Sequence, residues 1–173
     1  MSINDWWRDR PEERYWMIAP PRGIVGDALS APKASEGHRF EWSHELVGST
    51  EPGDTLFVWD RTLPVPGIGA WGRILGPLGE QPAVRHGGEI PHWRMPVSDT
   101  LRLASPITLS NLRRIGAEIV AVRDELEAST DGPVYFPFIG SAERIVPAPA
   151  YLSKVPRDLV ALLSSRFGFE FAL

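Results

Sequence analysis

Asp60 and Arg61 stand side by side in a short loop, and seven tryptophans (Trp6, Trp7, Trp16, Trp42, Trp59, Trp71 and Trp93) are spread along the first 93 residues of the chain. These are the side chains with the most chemical potential. The Asp60 carboxylate can pair with its neighbour Arg61, or it can accept a hydrogen bond from the exocyclic amine of a base, as carboxylates do toward cytosine. Indoles fill cores, and they also stack on planar or cationic ligands. The four histidines are His38, His44, His86 and His92. His86 and His92 flank a Gly-Gly loop with Glu89 between them, a weak pattern for a metal, and exposed loop histidines are the plainer reading. There is no HExxH pair, no phosphate-binding loop and no GxSxG elbow. The string Gly67-Ile68-Gly69-Ala70-Trp71-Gly72 matches GxGxxG in spacing only, because no helix opens at its end. Neither a metal nor a cofactor is expected.

These residues need elements to hold them. Thr55 to Trp59 has the β-branched and aromatic composition of a strand, and Gly67 to Leu75 reads as a second one, rich in glycine. Glycines in a strand suggest strong bending or the close approach of another backbone or a ligand. The two strands form a bent hairpin, either as one wall of a pocket or as a kinked barrel strand with core tryptophans. Upstream, Arg14 to Ala19 reads as the first strand, Val25 to Leu29 as a short helix, and Arg39 to Trp42 as a short strand. Downstream, Pro82 to Arg85 and Pro91 to Val97 read as strands. Leu112, Ile115, Ile119, Val122 and Leu126 recur at helical spacing, so a long helix runs from Leu109 to Glu127, capped by Thr108 or Ser110. Pro133 to Ile139 reads as an aromatic strand. A second helix starts with Pro156 in its first turn, and the tail from Phe167 reads as a final strand.

Composition narrows the function classes. A length of 173 residues suits one domain from residue 14 onward with an arm over residues 1–13, in which Trp6 and Trp7 dock or meet a partner. The absence of cysteine excludes disulfides, thiolate metal sites and cysteine nucleophiles. No apolar run is long enough to span a membrane, and the charged N-terminal stretch lacks the apolar centre of a signal peptide. A cytoplasmic location is expected. The net charge of −4 argues against a generic polyanion binder. A local basic face remains open, and nearly all the basic residues are arginine, suited to phosphate.

The order of segments resembles the EVE-type branch of the PUA superfamily. The resemblance rests on Tyr15-Trp16-Met17-Ile18-Ala19-Pro20, the aromatic segment with Trp42, Gly53-Asp54 followed by Thr55 to Trp59, and the glycine-rich Gly67 to Ile74. It covers Arg14 to Arg114, with Tyr135 to Pro156 as an extension of the same domain. It implies an α+β fold, a PUA-like curved antiparallel β-barrel with peripheral helices. It also implies a reader of modified bases, 5-methylcytosine or 5-hydroxymethylcytosine in DNA, with RNA as an alternative. A separate nuclease or other defence protein, in modification-dependent restriction, is the implied partner. A reader of this kind extrudes the base, stacks it in an aromatic cage and reads its edge. The residues implied are Trp42, Trp59, Trp71 and Trp93 for the walls, Asp60 for the edge, and Arg22, Arg39, Arg61 and Arg94 for phosphates. Two other readings stand beside it. One is a small PUA-like enzyme acting on RNA or an amide, with Asp60, Glu41, His44 and Arg61 as an acid–base set. The other is a protein-interaction module using Trp6 and Trp7.

Overall fold

The computed structural model describes residues 2–85 and 88–168. Thr55–Asp60 forms the strand β3, and every side chain from Thr55 to Trp59 is buried. The strand period of two divides them between two cores. Leu56 and Val58 enter one, and Phe57 and Trp59 enter the other. A strand covered on both faces reads as a continuous apolar run rather than an alternating one, which is why this stretch is so distinct in the sequence.

Around β3 lie β1 (Tyr15–Ile18), β4 (Gly67–Arg73), β7 (Leu101–Thr108) and β10 (Leu152–Lys154), in the order β10-β1-β3-β4-β7. The β1–β3 pair is parallel and the other pairs in this sheet are antiparallel. A second sheet, in the order β2-β6-β5, is built from β2 (Ala28–Pro32), β5 (Gly79–Arg85) and β6 (Gly88–Pro96). It packs Leu29, Ala31 and Met95 against Trp16, Ile18, Leu56 and Val58. An antiparallel bridge between Ile74 and Val97 joins the ends of β4 and β6. The content is therefore α+β with mainly antiparallel pairing. Among the described residues the strands are hydrogen-bonded as separate sheets rather than as one closed barrel; the third is the short pair β8 (Phe138–Ile139) and β9 (Val146–Pro147).

Helices cover the opposite face of the large sheet. The expected long helix is two: α2 (Leu109–Arg114) and α3 (Gly116–Ala128). Thr108 is the cap, in a reciprocal capping box with Asn111. The break falls at Ile115, and the next residue explains it. A Cβ on Gly116 would lie 1.9 Å from the carbonyl oxygen of Ala142. The chain needs a glycine where helix and 3-10 turn touch, and the backbone yields there. The apolar stripe is otherwise as expected, with Leu112, Ile115, Ile119 and Leu126 buried and Val122 partly so. The last helix, α4 (Arg157–Phe167), adds Leu159, Val160 and Leu163 to the same core, with Pro156 as its N-cap rather than inside its first turn.

Four local expectations are corrected. Residues 28–32 pair with β6 as a strand, and no helix forms over Val25 to Leu29. Trp42 opens a short helix, α1 (Trp42–Glu45), instead of closing a strand, and a 3-10 turn over Leu46–Ser49 follows. β5 begins at Gly79, earlier than expected, with Pro82 opposite Pro91. Only Phe138 and Ile139 of the aromatic run are strand, because Tyr135 turns the chain at a positive φ of 52°. The tail strand and His86 lie outside the described residues.

The arm docks. Trp7 meets Trp16 edge-on at 5.3 Å, and Trp6 Nε1 donates to the Val134 carbonyl at 3.3 Å. Beneath it Lys154 is 0% exposed. Its Nζ donates to the carbonyls of Glu13 (2.6 Å) and Tyr15 (3.1 Å) and lies 4.4 Å from the Trp16 ring centroid. Desolvation pushes its pKa down to about 8, while the charges of Glu13 and Asp54 resist that and Arg14 adds to it. The buried Asp54 carboxylate accepts from Trp16 Nε1 at 2.7 Å, from the Glu51 amide at 2.9 Å and from Arg14.

Candidate functional site

Asp60 is the last residue of β3, where the strand leaves the two cores. The β3–β4 register shifts between Val58 and Trp59, and the β4–β7 register shifts between Ile68 and Ala70. Such irregularities re-aim side chains and recur beside functional sites. Here they open a cavity of about 240 Å³ lined by Asp60, Arg102, Thr100 and the apolar side chains of Ile24, Leu63 and Leu103, among others.

The carboxylate is held in place. Asp60 Oδ1 accepts from the Thr62 amide at 2.8 Å and from Thr62 Oγ1 at 2.6 Å. Two glycines make room for it. A Cβ on Gly23, which sits at φ +67°, would lie 2.6 Å from Asp60 Oδ1, and one on Gly69 would lie 3.2 Å from Asp60 Cβ. Asp60 Oδ2 accepts no hydrogen bond among the described residues, and Arg102 forms no side-chain hydrogen bond or ion pair there. Opposite charges thus line one small cavity without pairing with each other. Such an arrangement offers a ligand an acceptor and a donor at fixed positions, with apolar side chains beside them. Ile24, 76% exposed, borders it.

The other expected residues scatter. Trp59 is 1% exposed and packs edge-on to Phe138 at 5.9 Å, so it has no face to offer a base. Trp71 is half-buried against the helix-side core, with the Arg73 guanidinium 5.5 Å from its ring centroid. Trp93 donates through Nε1 to Glu45 at 3.2 Å and carries the Lys33 ammonium 4.3 Å from its ring centroid. Trp42 lines a different, larger cavity, tilted 30° against Tyr135 with ring centroids 5.2 Å apart. The four indoles therefore do not form one cage around Asp60. Of the arginines, Arg22 and Arg61 are exposed sequence neighbours of Gly23 and Asp60, which line the Asp60 cavity, but neither arginine lines it itself. Arg94 is held by Asp27 at 2.9 Å. Arg39 is exposed beside Phe40, which lines the Trp42 cavity.

The acid–base set is not assembled, because neither Glu41 nor His44 lines the Asp60 cavity. His44 packs edge-on to Tyr151 at 5.9 Å, and Glu41 accepts from Ser43 Oγ at 3.1 Å. His92 is not an exposed loop residue: it is buried in β6, and its Nδ1 donates to the Ile90 carbonyl at 2.9 Å. Among the described residues no three metal-ligating side chains converge, and no helix is long and apolar enough to cross a membrane. Sequence reasoning missed Arg102. Its only signal was position, an arginine in a run with the breaker Pro106, and strand pairing of Arg102 with Ala70 is what brings it to the cavity that Asp60 lines.

No protein-family model and no curated protein matches the chain. Solved structures do share its fold. A protein from Pseudomonas putida aligns with a TM-score of 0.53 at 14% identity, over 87% of this chain and 97% of that one. A protein from Pseudomonas syringae aligns at 0.50 and 14%, over 88% and 99%. Human THYN1, solved in complex with 5-methylcytosine-containing DNA, aligns at 0.52 and 8%, over 91% and 99%. At these identities the likeness is one of fold.

Proposed function

We propose that this chain is a DNA-binding module of the EVE-like, PUA-superfamily kind that reads a modified cytosine flipped out of the duplex. The observation that carries the reading is the Asp60 cavity, with an oriented carboxylate and an unpaired guanidinium in a space of about 240 Å³. The fold shared with human THYN1, which was solved with 5-methylcytosine-containing DNA, supports it. Cytosine presents an amino donor next to ring acceptors on its pairing edge. Asp60 Oδ2 accepts from the amine, as carboxylates do toward cytosine N4, and Arg102 donates to the neighbouring acceptors. Ile24, Leu63 and Leu103 form the apolar side that receives the group on the base. Extrusion costs about a few kcal/mol, and Arg22 and Arg61 offset part of it by gripping the flanking phosphates. In this reading Asp60 keeps the edge-reading role. The walls beside it are aliphatic, and Trp59, Trp71 and Trp93 hold the frame. A separate nuclease or other defence protein is the partner implied.

The test is binding to matched oligonucleotides carrying cytosine, 5-methylcytosine or 5-hydroxymethylcytosine. Asp60→Asn turns an acceptor-only group into a mixed one. It should cut the preference among bases by about tenfold or more, the scale of about 1–3 kcal/mol for one well-made base contact. Arg22→Ala and Arg61→Ala should weaken all three DNAs alike and lower the salt slope by about one each. Folded Asp60→Asn and Arg102→Ala proteins with unchanged affinity and selectivity would overturn the reading.

A further inference from the structure

The larger cavity, of about 600 Å³, is unlike the first in chemistry. Its lining includes Phe40, Trp42, Tyr135, Phe136 and Phe138, with Arg123 and Glu127 from α3. The aromatic loop is fixed from behind by the arm. Asn4 Nδ2 donates to the Pro133 carbonyl at 3.2 Å, Trp6 Nε1 to that of Val134, and the Asn4 amide to Tyr135 Oη at 2.9 Å. Tyr135 is the one non-glycine residue at positive φ among the described residues. Backbone held in such a conformation is a recurrent mark of ligand clamps.

Charge decides what the rings could hold. Arg123 is already engaged: Nη1 donates to the Gly140 carbonyl at 3.0 Å, and Nε and Nη2 donate to Asp124 at 3.2 Å. Glu127, one turn further along the helix, has no side-chain hydrogen bond or ion pair among the described residues. The cavity therefore combines aromatic side chains, of which Phe40 and Trp42 are partly exposed, with the unmatched negative charge of exposed Glu127. Aromatic faces attract cations through the ring quadrupole, and alkylated ammonium groups bind this way because they are weakly hydrated and make no hydrogen bonds.

We propose that this cavity is a second binding site, for a small alkylated ammonium compound of the choline type, with Trp42 and Phe40 as the cation-binding rings and Glu127 as the counter-charge. It is independent of the Asp60 cavity and of the DNA-reading proposal. The probe pair is choline and its uncharged carbon analogue, dimethylbutanol, titrated into the full chain. Binding is followed by calorimetry and by the NMR signals of the Trp42 indole N–H and the amides of residues 133–138. Choline should bind about tenfold more tightly than the neutral analogue. Glu127→Gln should weaken choline several-fold and leave dimethylbutanol unchanged. Trp42→Ala should abolish the preference, and Phe40→Ala is the alternative if Trp42→Ala does not fold. None of these should alter selectivity for modified oligonucleotides, which keeps the two sites separable. Equal binding of the two probes, or no shift of those signals at tens of millimolar choline, would overturn the proposal.

Discussion

Lys154 makes the stability of this fold depend on pH in an unusual direction. Its ammonium is fully buried, held by the Glu13 and Tyr15 carbonyls between the sheet and the arm. Burial lowers its pKa from 10.5 to about 8, and only partial compensation comes from Glu13 and Asp54. Between those values the unfolded chain binds the proton and the folded chain does not. The slope of unfolding free energy with pH is then positive, so stability rises as pH increases from about 8 toward 10.5. The full difference corresponds to about 3 kcal/mol, and most of it is recovered between pH 7 and 10. Tyr151 acts in the opposite sense. Its pKa is raised by burial, so its contribution falls as pH passes 10, and the useful window closes there. The assay is urea unfolding at pH 7, 8, 9 and 10, with Lys154→Met alongside. The wild type should gain stability across that range, and Lys154→Met should be nearly flat. A wild-type stability that is level or falling from pH 8 to 10, or an identical profile in the variant, would refute the argument.

Other outcomes follow from packing. Ile119 is fully buried on α3, so Ile119→Ala should cost about 2–5 kcal/mol in chemical denaturation; a cost near zero would contradict its place in the core. Trp59→Ala should cost about 3–5 kcal/mol and leave base selectivity intact in whatever fraction stays folded; a stable variant with altered selectivity would return that indole to the site. Gly116→Ala drives a methyl into the Ala142 carbonyl and should destabilise by about 1–3 kcal/mol or more, despite the better helix propensity of alanine. A raised melting temperature would show that the break between α2 and α3 is not imposed by that contact.

Much of the fold was legible because the central residues report burial directly. Thr55 to Trp59 is apolar on both faces, and Leu112, Ile115, Ile119 and Leu126 keep helical spacing, so strand and helix were readable. What failed was set by partners distant in sequence. Residues 28–32 become strand because β6 lies beside them, and the α2–α3 break comes from a backbone 26 residues downstream of Gly116. Tryptophan count was a poor guide to the site for the same reason. Trp16, Trp59 and Trp93 are drawn to buried or polar partners: Asp54, Phe138 and Glu45.

The small cavity owes its form to a change of role at one residue. Along β3 each side chain up to Trp59 is claimed by a core, and Asp60 is the first that is not. The β3–β4 register shifts just before it and the β4–β7 register shifts in the neighbouring pair, and Thr62 fixes one carboxylate oxygen while the other stays open. Gly23 and Gly69 then keep Cβ atoms out of the space the carboxylate occupies. Filling that space tests the reasoning without touching a charge. Gly69→Ala adds one methyl group 3.2 Å from Asp60 Cβ and 3.3 Å from Leu63 Cδ1, so both must shift by a few tenths of an ångström. The two-core packing below is untouched, so melting should change little, while a contact that depends on an oriented acceptor should weaken by about tenfold. A Gly69→Ala protein that binds every oligonucleotide as the wild type does would mean that the position of Asp60 is not what the DNA reads.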